Sequence, residues 1–208
     1  VGLRSSVPRL VVLDALGLAY RAYYALARWG TDPDGNKAAF SALTNSRKEP
    51  TNAILGMANT LVRYRRDLKP DRWALAWDGP GPTHRHLRYP DYKAHRKPMP
   101  ADMLAQIPAL EELAAALGLP VIEGAGVEAD DVMATLARRA ERDGHEVVLV
   151  SSDKDMLQLV NDRVRVLAPT GRGEDYAWVD RDAVHAKWGV APEQMPDVLA
   201  LIGDASDN

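Results

Sequence analysis

Nine acidic residues recur in small groups along the 208-residue chain: Asp14; Asp78; Glu128, Asp130 and Asp131; Asp153 and Asp155; Asp204 and Asp207. Each group follows an apolar run or sits where a helix is expected to begin or end. If folding gathers them, their charges crowd one pocket, raise one another's pKa values and destabilise the fold. Divalent cations are the natural compensation, because hard ions such as Mg²⁺ or Mn²⁺ take oxygen ligands and keep several waters. Two such ions, roughly 3.5–4 Å apart, activate a water and stabilise the leaving oxygen in phosphodiester cleavage. Taken singly, each acid has a plainer explanation. Asp at a strand end caps a helix or forms a turn. Glu128, Asp130 and Asp131 complement a helix dipole, and Asp204 and Asp207 suit a solvated turn. Caps do not require five acidic groups at such positions in one chain, so the set favours a metal site.

Residues 79–100 carry the opposite charge. Arg85, Arg88, Lys93, Arg96 and Lys97 stand against the single acid Asp91, with Tyr89 and Tyr92 between them. Cations interleaved with aromatics suit a funnel for single-stranded nucleic acid, through phosphate contact and base stacking; a solvated surface loop is the alternative. The same segment holds His84, His86 and His95, whose spacing fits no common zinc pattern, and there is no cysteine to help. The absence of cysteine also excludes disulfides and thiolate metal sites and suits a reducing cytosol. With 26 Lys plus Arg against 29 Asp plus Glu, the net charge of −3 argues mildly against a nucleic-acid binder. The two signs are nonetheless segregated along the chain. No signal peptide and no apolar run of membrane-spanning length is present, so a cytoplasmic location is expected.

The elements that must position these groups alternate. Arg9–Asp14 and Arg72–Asp78 are apolar runs ending in a carboxylate, as buried strands do. Further strands are expected at Pro120–Glu123, Glu146–Ser151 and Arg163–Leu167. Helices are expected at Gly17–Leu26, Asn52–Leu68, Ala101–Leu117, Glu128–Asp143, Lys154–Val160, Asp180–Trp188 and Pro192–Ile202. Residues 29–51, rich in Gly, Pro, Asn, Asp and Ser, read as loop. This alternation predicts an α/β fold, with a mainly parallel central sheet flanked by helices on both faces. Sites in such sheets form at the carboxyl ends of the strands, where Asp14, Asp78 and Asp153 lie.

Five ordered blocks carry a resemblance. They are Val11-Val-Leu-Asp14 with Leu18-Ala-Tyr-Arg-Ala-Tyr23; Trp77-Asp-Gly-Pro80 with Tyr92-Lys-Ala-His-Arg96; Gly126-Val-Glu-Ala-Asp-Asp131; Val150-Ser-Ser-Asp-Lys-Asp-Met-Leu-Gln-Leu159; and Leu201-Ile-Gly-Asp-Ala-Ser-Asp-Asn208. From about residue 9 to 208 the chain resembles the 5′ nuclease domain of bacterial DNA polymerase I, which is similar to flap endonucleases. The resemblance implies a 5′ nuclease (PIN-like) fold and a structure-selective 5′-3′ nuclease using two divalent cations, Mg²⁺ or Mn²⁺, in DNA replication and repair. The implied partners are DNA with a 5′ single-stranded flap or nick, or an RNA primer, and a fused polymerase; a monomer is expected and no membrane. A non-catalytic DNA-junction binder of the same fold is the rival.

By motif, the resemblance assigns Asp14, Asp78, Glu128 and Asp130 to one ion, and Asp131, Asp153, Asp155, Asp204 and Asp207 to hold or orient the second. It makes residues 79–100 an arch over the site, in which Lys93 and Arg96 polarise the scissile phosphate. Arg85, Arg88, Tyr92 and Lys97 would contact nucleic acid. Tyr20 is either a base-stacking residue or part of the core, and Arg21 contacts phosphate or pairs with a site carboxylate. Three departures stand out: Ala15 and Leu16 follow Asp14 where relatives carry Gly and a small polar residue, the loop at 29–44 is longer than usual, and the glycine-rich duplex-binding helix-three-turn-helix is missing. The last implies a truncated chain with weakened duplex binding.

Overall fold

The computed structural model describes residues 7–32, 35, 37–170 and 176–203. A six-stranded sheet runs through it in the order β5 (Val121–Ile122), β4 (Arg72–Ala76), β1 (Arg9–Asp14), β6 (Glu146–Val150), β7 (Val164–Pro169), β8 (Tyr176–Val179). All neighbours are parallel except β8, which pairs antiparallel with β7 at the edge. The mainly parallel α/β architecture expected from the sequence is what forms.

Alternation along the strands divides the core into two layers, because successive side chains leave opposite faces. Val11, Leu13, Leu75, Val148, Val150 and Leu167 face α1 (Ala15–Ala25), α2 (Asn52–Leu68) and α5 (Ile107–Ala116). Val12, Ala76, Val147, Leu149, Val164 and Val166 face α6 (Ala129–Arg142), together with Val184 of α7 (Arg181–Trp188) and Met195 of α8 (Met195–Ile202). Strands buried on both sides read as continuous apolar runs, which is why the strands were visible in the sequence.

Three expectations change. The stretch 29–51 is not all loop: β2 (Ala27–Thr31) and β3 (Lys37–Ser41) form an antiparallel hairpin apart from the main sheet. β2 is mostly exposed, and the apolar residues of β3 run consecutively, so no apolar alternation reveals the pair. The single helix expected at Ala101–Leu117 is split into α4 (Ala101–Leu104) and α5, because Pro108 lacks an N–H and belongs in a first turn. The helical stretch after β6 is a 3-10 helix, Lys154–Leu159.

At the split, Gln106 is buried. Its Oε1 accepts from Ala53 N at 2.8 Å, and its Nε2 donates to Asn52 Oδ1 at 2.9 Å and to the Asp102 carbonyl at 2.8 Å. One amide thus ties the start of α2 to the α4–α5 corner. Replacing it leaves buried polar groups without partners, so Gln106→Ala is expected to lower stability by about 1–3 kcal/mol in urea unfolding.

Candidate metal centre

Strand order places the site. From β1 the sheet grows one way through β4 and β5 and the other way through β6 and β7, so order reverses at β1 and a crevice opens at the carboxyl ends. Asp14 is level with Ala76, and Leu13 with Val150. Asp78 and Asp153 therefore follow the two neighbours of β1 on either side of Asp14.

Local chemistry fixes each carboxylate. Asp14 caps α1: its Oδ1 accepts from Gly17 N at 2.9 Å, and its Oδ2 accepts from Ser151 Oγ at 3.3 Å. Asp78 Oδ1 accepts from Ala129 N at 2.8 Å, in the first turn of α6. Asp153 caps the 3-10 helix, its Oδ1 accepting from Asp155 N at 2.8 Å, while Asp153 N donates to Ser151 Oγ at 3.1 Å. The buried Ser151 hydroxyl bridges the loops after β1 and β6. It is a site residue that the sequence reading did not single out, although a serine directly after an apolar strand is a usable signal.

Two glycines are also required and were missed. A Cβ on Gly17 would stand 2.2 Å from Asp14 Oδ2, and one on Gly79 would stand 1.8 Å from the Gly124 carbonyl. Side chains there would displace the Asp14 carboxylate or the backbone that carries Asp78.

The carboxylates sense one another. Burial raises the pKa of Asp14; hydrogen bonds from Gly17 and Ser151 oppose the shift, and the charges of Asp78 and Asp153 add to it. Asp130 is pushed up to about 7, first by burial and then by Asp153, Asp14 and Asp78, against the pull of Lys93. Asp14, Asp78, Asp130 and Asp153 thus share one pocket.

Glu128 and Asp131 are held differently, by the basic segment. Arg85 forms a two-pronged pair with Asp131 (2.7 and 2.8 Å) and approaches Glu128 Oε2 at 3.3 Å. Lys93 Nζ donates to Glu128 Oε1 at 3.0 Å, and Tyr92 OH donates to Oε2 at 3.0 Å. The Arg85 hydrogen bond holds the Asp131 carboxyl below the ordinary range. Burial works against the Lys93 ammonium, but contacts with Tyr92 and Glu128 outweigh it and raise its pKa. Lys93 itself has φ 57°, a left-handed backbone uncommon outside glycine, as the chain turns to deliver its side chain. Segment 79–100 also contains a short helix, α3 (His84–Arg88), whose Thr83 and His86 side chains meet at 2.8 Å, so His86 is engaged in a cap.

The remaining candidates lie around this centre. Asp155 sits beside Asp153. Arg96 is exposed and near enough to Tyr20 to influence its hydroxyl. Tyr20 is half-buried against the core and also stacks on Tyr24. Arg21 donates to the Thr170 carbonyl at 2.5 Å, beyond β7. Arg88 and Lys97 are exposed. Asp204 and Asp207 lie outside the described residues.

As a metal site, the pocket offers carboxylate oxygens and no thiolate, a donor set suited to hard cations. Among the described residues, no three Asp, Glu or His converge closely enough to enclose an ion unaided. The donor chemistry and the mutual repulsion fit ions that retain several of their own waters. Asp14, Asp78, Asp130 and Asp153 are the residues that would hold them.

Two outcomes follow. Folded Asp130 keeps its proton up to about pH 7 whereas its ordinary value is 3.8, so the folded state binds more protons between those values and stability falls as pH rises through them. In chelator, Asp130→Asn is expected to remove Asp130's share of that decline, leaving the smaller one from Asp14, and to make the variant more stable than the parent at pH 8 but not at pH 4 in denaturant titrations. Gly17→Ala is expected to cost about 1–3 kcal/mol in the same measurement, by crowding Asp14.

Residues 9–189 match the family described as 5′-3′ exonuclease, N-terminal resolvase-like domain. The chain is 41% identical over 201 residues to DNA polymerase I of Mycobacterium tuberculosis, covering 97% of this chain and 21% of that protein. It is 38% identical over 200 residues to the thermostable DNA polymerase I of Thermus aquaticus, covering 96% of this chain and 22% of that one. The chain therefore spans about a fifth of the length of these relatives. Among solved structures, the bacteriophage T5 5′-exonuclease superposes with a TM-score of 0.68 at 19% identity, over 97% of this chain and 65% of that one. The carboxylate crevice at β1 stands on a 5′-nuclease fold, and the chain belongs to the 5′-3′ exonuclease N-terminal, resolvase-like domain family.

Proposed function

We propose that the chain is a divalent-metal-dependent 5′ nuclease that hydrolyses phosphodiesters of DNA carrying a 5′ single-stranded flap or nick, or of an RNA primer. The observation that carries the reading is the set of four mutually repelling carboxylates at the reversal of the sheet. An acid pushed up to about 7, first by burial and then by its neighbours' charges, persists at a cost that a bound cation would relieve. Solved structures support the class: one is described as divalent metal ions (zinc) bound to the T5 5′-exonuclease, and another as a T5 flap endonuclease complex with DNA and metal ions.

In this reading two divalent cations, Mg²⁺ or Mn²⁺, supply an activated water and stabilise charge on the leaving oxygen when bound. The protein's own groups do the rest. Asp14, Asp78, Asp130 and Asp153 fix the acidic floor; Asp155, Asp204 and Asp207 complete the oxygen set. Glu128 and Asp131 act first through the basic segment, holding Lys93 and Arg85 beside the pocket. Lys93 and Arg96 neutralise charge that grows on the scissile phosphate, where a fixed cation in a water-poor site is worth most. Tyr20 stacks on a base next to the cut, and Arg21, Arg85, Arg88, Tyr92 and Lys97 guide the strand. In the cell, the proposed setting is a cytoplasmic, monomeric protein in which a polymerase shares the chain.

The test is cleavage of a 5′-labelled flap DNA with Mg²⁺ or Mn²⁺, comparing the parent with Asp153→Asn. Cutting near the single-strand/duplex junction is expected, with dependence on metal and a fall of at least about 100-fold in the variant. Binding without cutting would identify a junction-binding module instead, and hydrolysis of small phosphate esters alone would identify a different phosphohydrolase.

A further inference from the structure

The hairpin at residues 27–41, which the sequence left without a role, carries a feature that neither the carboxylate pocket nor the core explains. Three aromatic rings form a stepped, nearly parallel series leading away from the pocket. Tyr20 and Tyr24 stack with centroids 6.1 Å apart and planes 16° apart, and Tyr24 and Trp29 stack at 5.9 Å and 9°. Exposure rises along the series, from half-buried Tyr20 to 42% for Tyr24 and 56% for Trp29. At the near end, Arg96 influences the Tyr20 hydroxyl. At the far end, Lys37 Nζ lies 5.2 Å above the Trp29 ring.

The series is held in place. Tyr23 OH donates to the Ala39 carbonyl at 2.9 Å, tying α1 to β3, and Ser41 N donates to Asp102 Oδ2 at 2.9 Å, tying β3 to α4. Between the hairpin and residues 97–101 lies an open cleft of about 690 Å³, with Tyr24 and Trp29 on one wall and Lys37, Lys97 and Met99 among its other lining residues. Among the described residues that line it, Asp32 is the one acid. The volume falls in the range of small-ligand clefts, roughly 300–1,000 Å³.

We infer that Trp29, Tyr24, Lys37 and Lys97 form a second subsite, a stacking platform that receives bases of the single-stranded 5′ segment beyond the carboxylate pocket. The inference rests on the nuclease reading for the identity of the strand. Partly exposed rings beside ammonium groups are what an unpaired polyanion with π-faces requires. Lys37 does not block the platform. An exposed cation–π contact is weaker than base–aromatic stacking, so an arriving base displaces the ammonium onto a phosphate, where the flexible lysine stem still reaches. Stacking is indifferent to base identity, so the platform is sequence-tolerant.

The experiment is fluorescence anisotropy, in chelator so that nothing is cut, with a 5′-labelled thymidine oligomer of roughly 12 nucleotides and an abasic oligomer of equal length and charge. The parent chain is expected to bind the base-bearing strand more tightly. Trp29→Ala is expected to lose that preference by at least about five-fold while its affinity for the abasic strand stays unchanged, and Trp29→Phe, which keeps a ring and guards against a folding artefact, to retain it. Lys97→Ala is expected to weaken both strands alike. Equal binding of the two oligomers by the parent, or a Trp29→Ala variant that keeps the preference, would overturn the platform. Flap cleavage by the parent is scored separately with Mg²⁺. A chain that cuts but shows no base preference refutes the platform alone, and one that shows the preference but never cuts refutes the nuclease reading alone.

Discussion

Repulsion among Asp14, Asp78, Asp130 and Asp153 is the constraint around which this molecule is arranged. Parallel strands bring their carboxyl ends to one edge, and β1 lies between the neighbours that lead to Asp78 and Asp153. Three of the four charges are therefore delivered by the sheet itself, and the fourth by the first turn of α6. Nothing apolar can relieve them. The fold instead surrounds them with fixed dipoles: the amides of Gly17, Ala129 and Asp155 each donate to one of these carboxylates, and Ser151 donates to Asp14. Even so, Asp14 and Asp130 remain harder to ionise than ordinary carboxylates. That residual tension supports the proposed role of the crevice as a receptor for cations.

A second tier of charge solves a different problem. Residues 79–100 have almost no core of their own; α3 buries none of its residues. The segment is secured by opposite charge, through Arg85 on Asp131 and Lys93 with Tyr92 on Glu128. These partners are partly screened from water, which makes each pair worth more than a fully exposed one. The same two acids stand at the start of α6, where they also meet the helix dipole. Asp130 lies within reach of the pocket's charges while its neighbours Glu128 and Asp131 anchor the basic segment. One acidic triplet thus does two jobs, and the basic segment and the pocket are joined through a single helix start.

How much of this was legible follows from which forces write themselves into short stretches of sequence. Val11, Val12 and Leu13 and Val147, Val148 and Leu149 announce doubly buried strands, and the carboxylates after them announce the crevice. The hairpin β2–β3 left no such trace, since β2 is mostly exposed and the apolar residues of β3, Ala38, Ala39 and Phe40, run consecutively instead of alternating. The break at Pro108 was readable from the proline but was overridden by the apolar pattern on both sides. Ser151 was signalled only by its place after an apolar strand, and Gly17 and Gly79 were beyond reach for another reason. The importance of these glycines lies in the space a missing Cβ leaves, which has no local pattern. The division between Asp130, which senses the pocket's charges, and Glu128 and Asp131, which hold the basic segment, is likewise set by where Arg85 and Lys93 arrive.

Bulk charge was the weakest guide, and the structure explains why. A net charge of −3 counts acids that the fold uses internally against cations that it displays elsewhere. Glu128 and Asp131 are occupied by Lys93 and Arg85, and Arg9 is occupied by Glu146 at the far end of the sheet. Arg88, Arg96, Lys97 and Lys37 are exposed, as are Trp29 and Tyr24 beside Lys37. In the proposed reading a phosphate chain would be drawn by these cations and repelled by the acidic floor, so its backbone would reach the carboxylates only where cations intervene. Basic side chains and floor therefore need one another: the side chains alone would bind without chemistry, and the floor alone would exclude the molecule on which it is proposed to act.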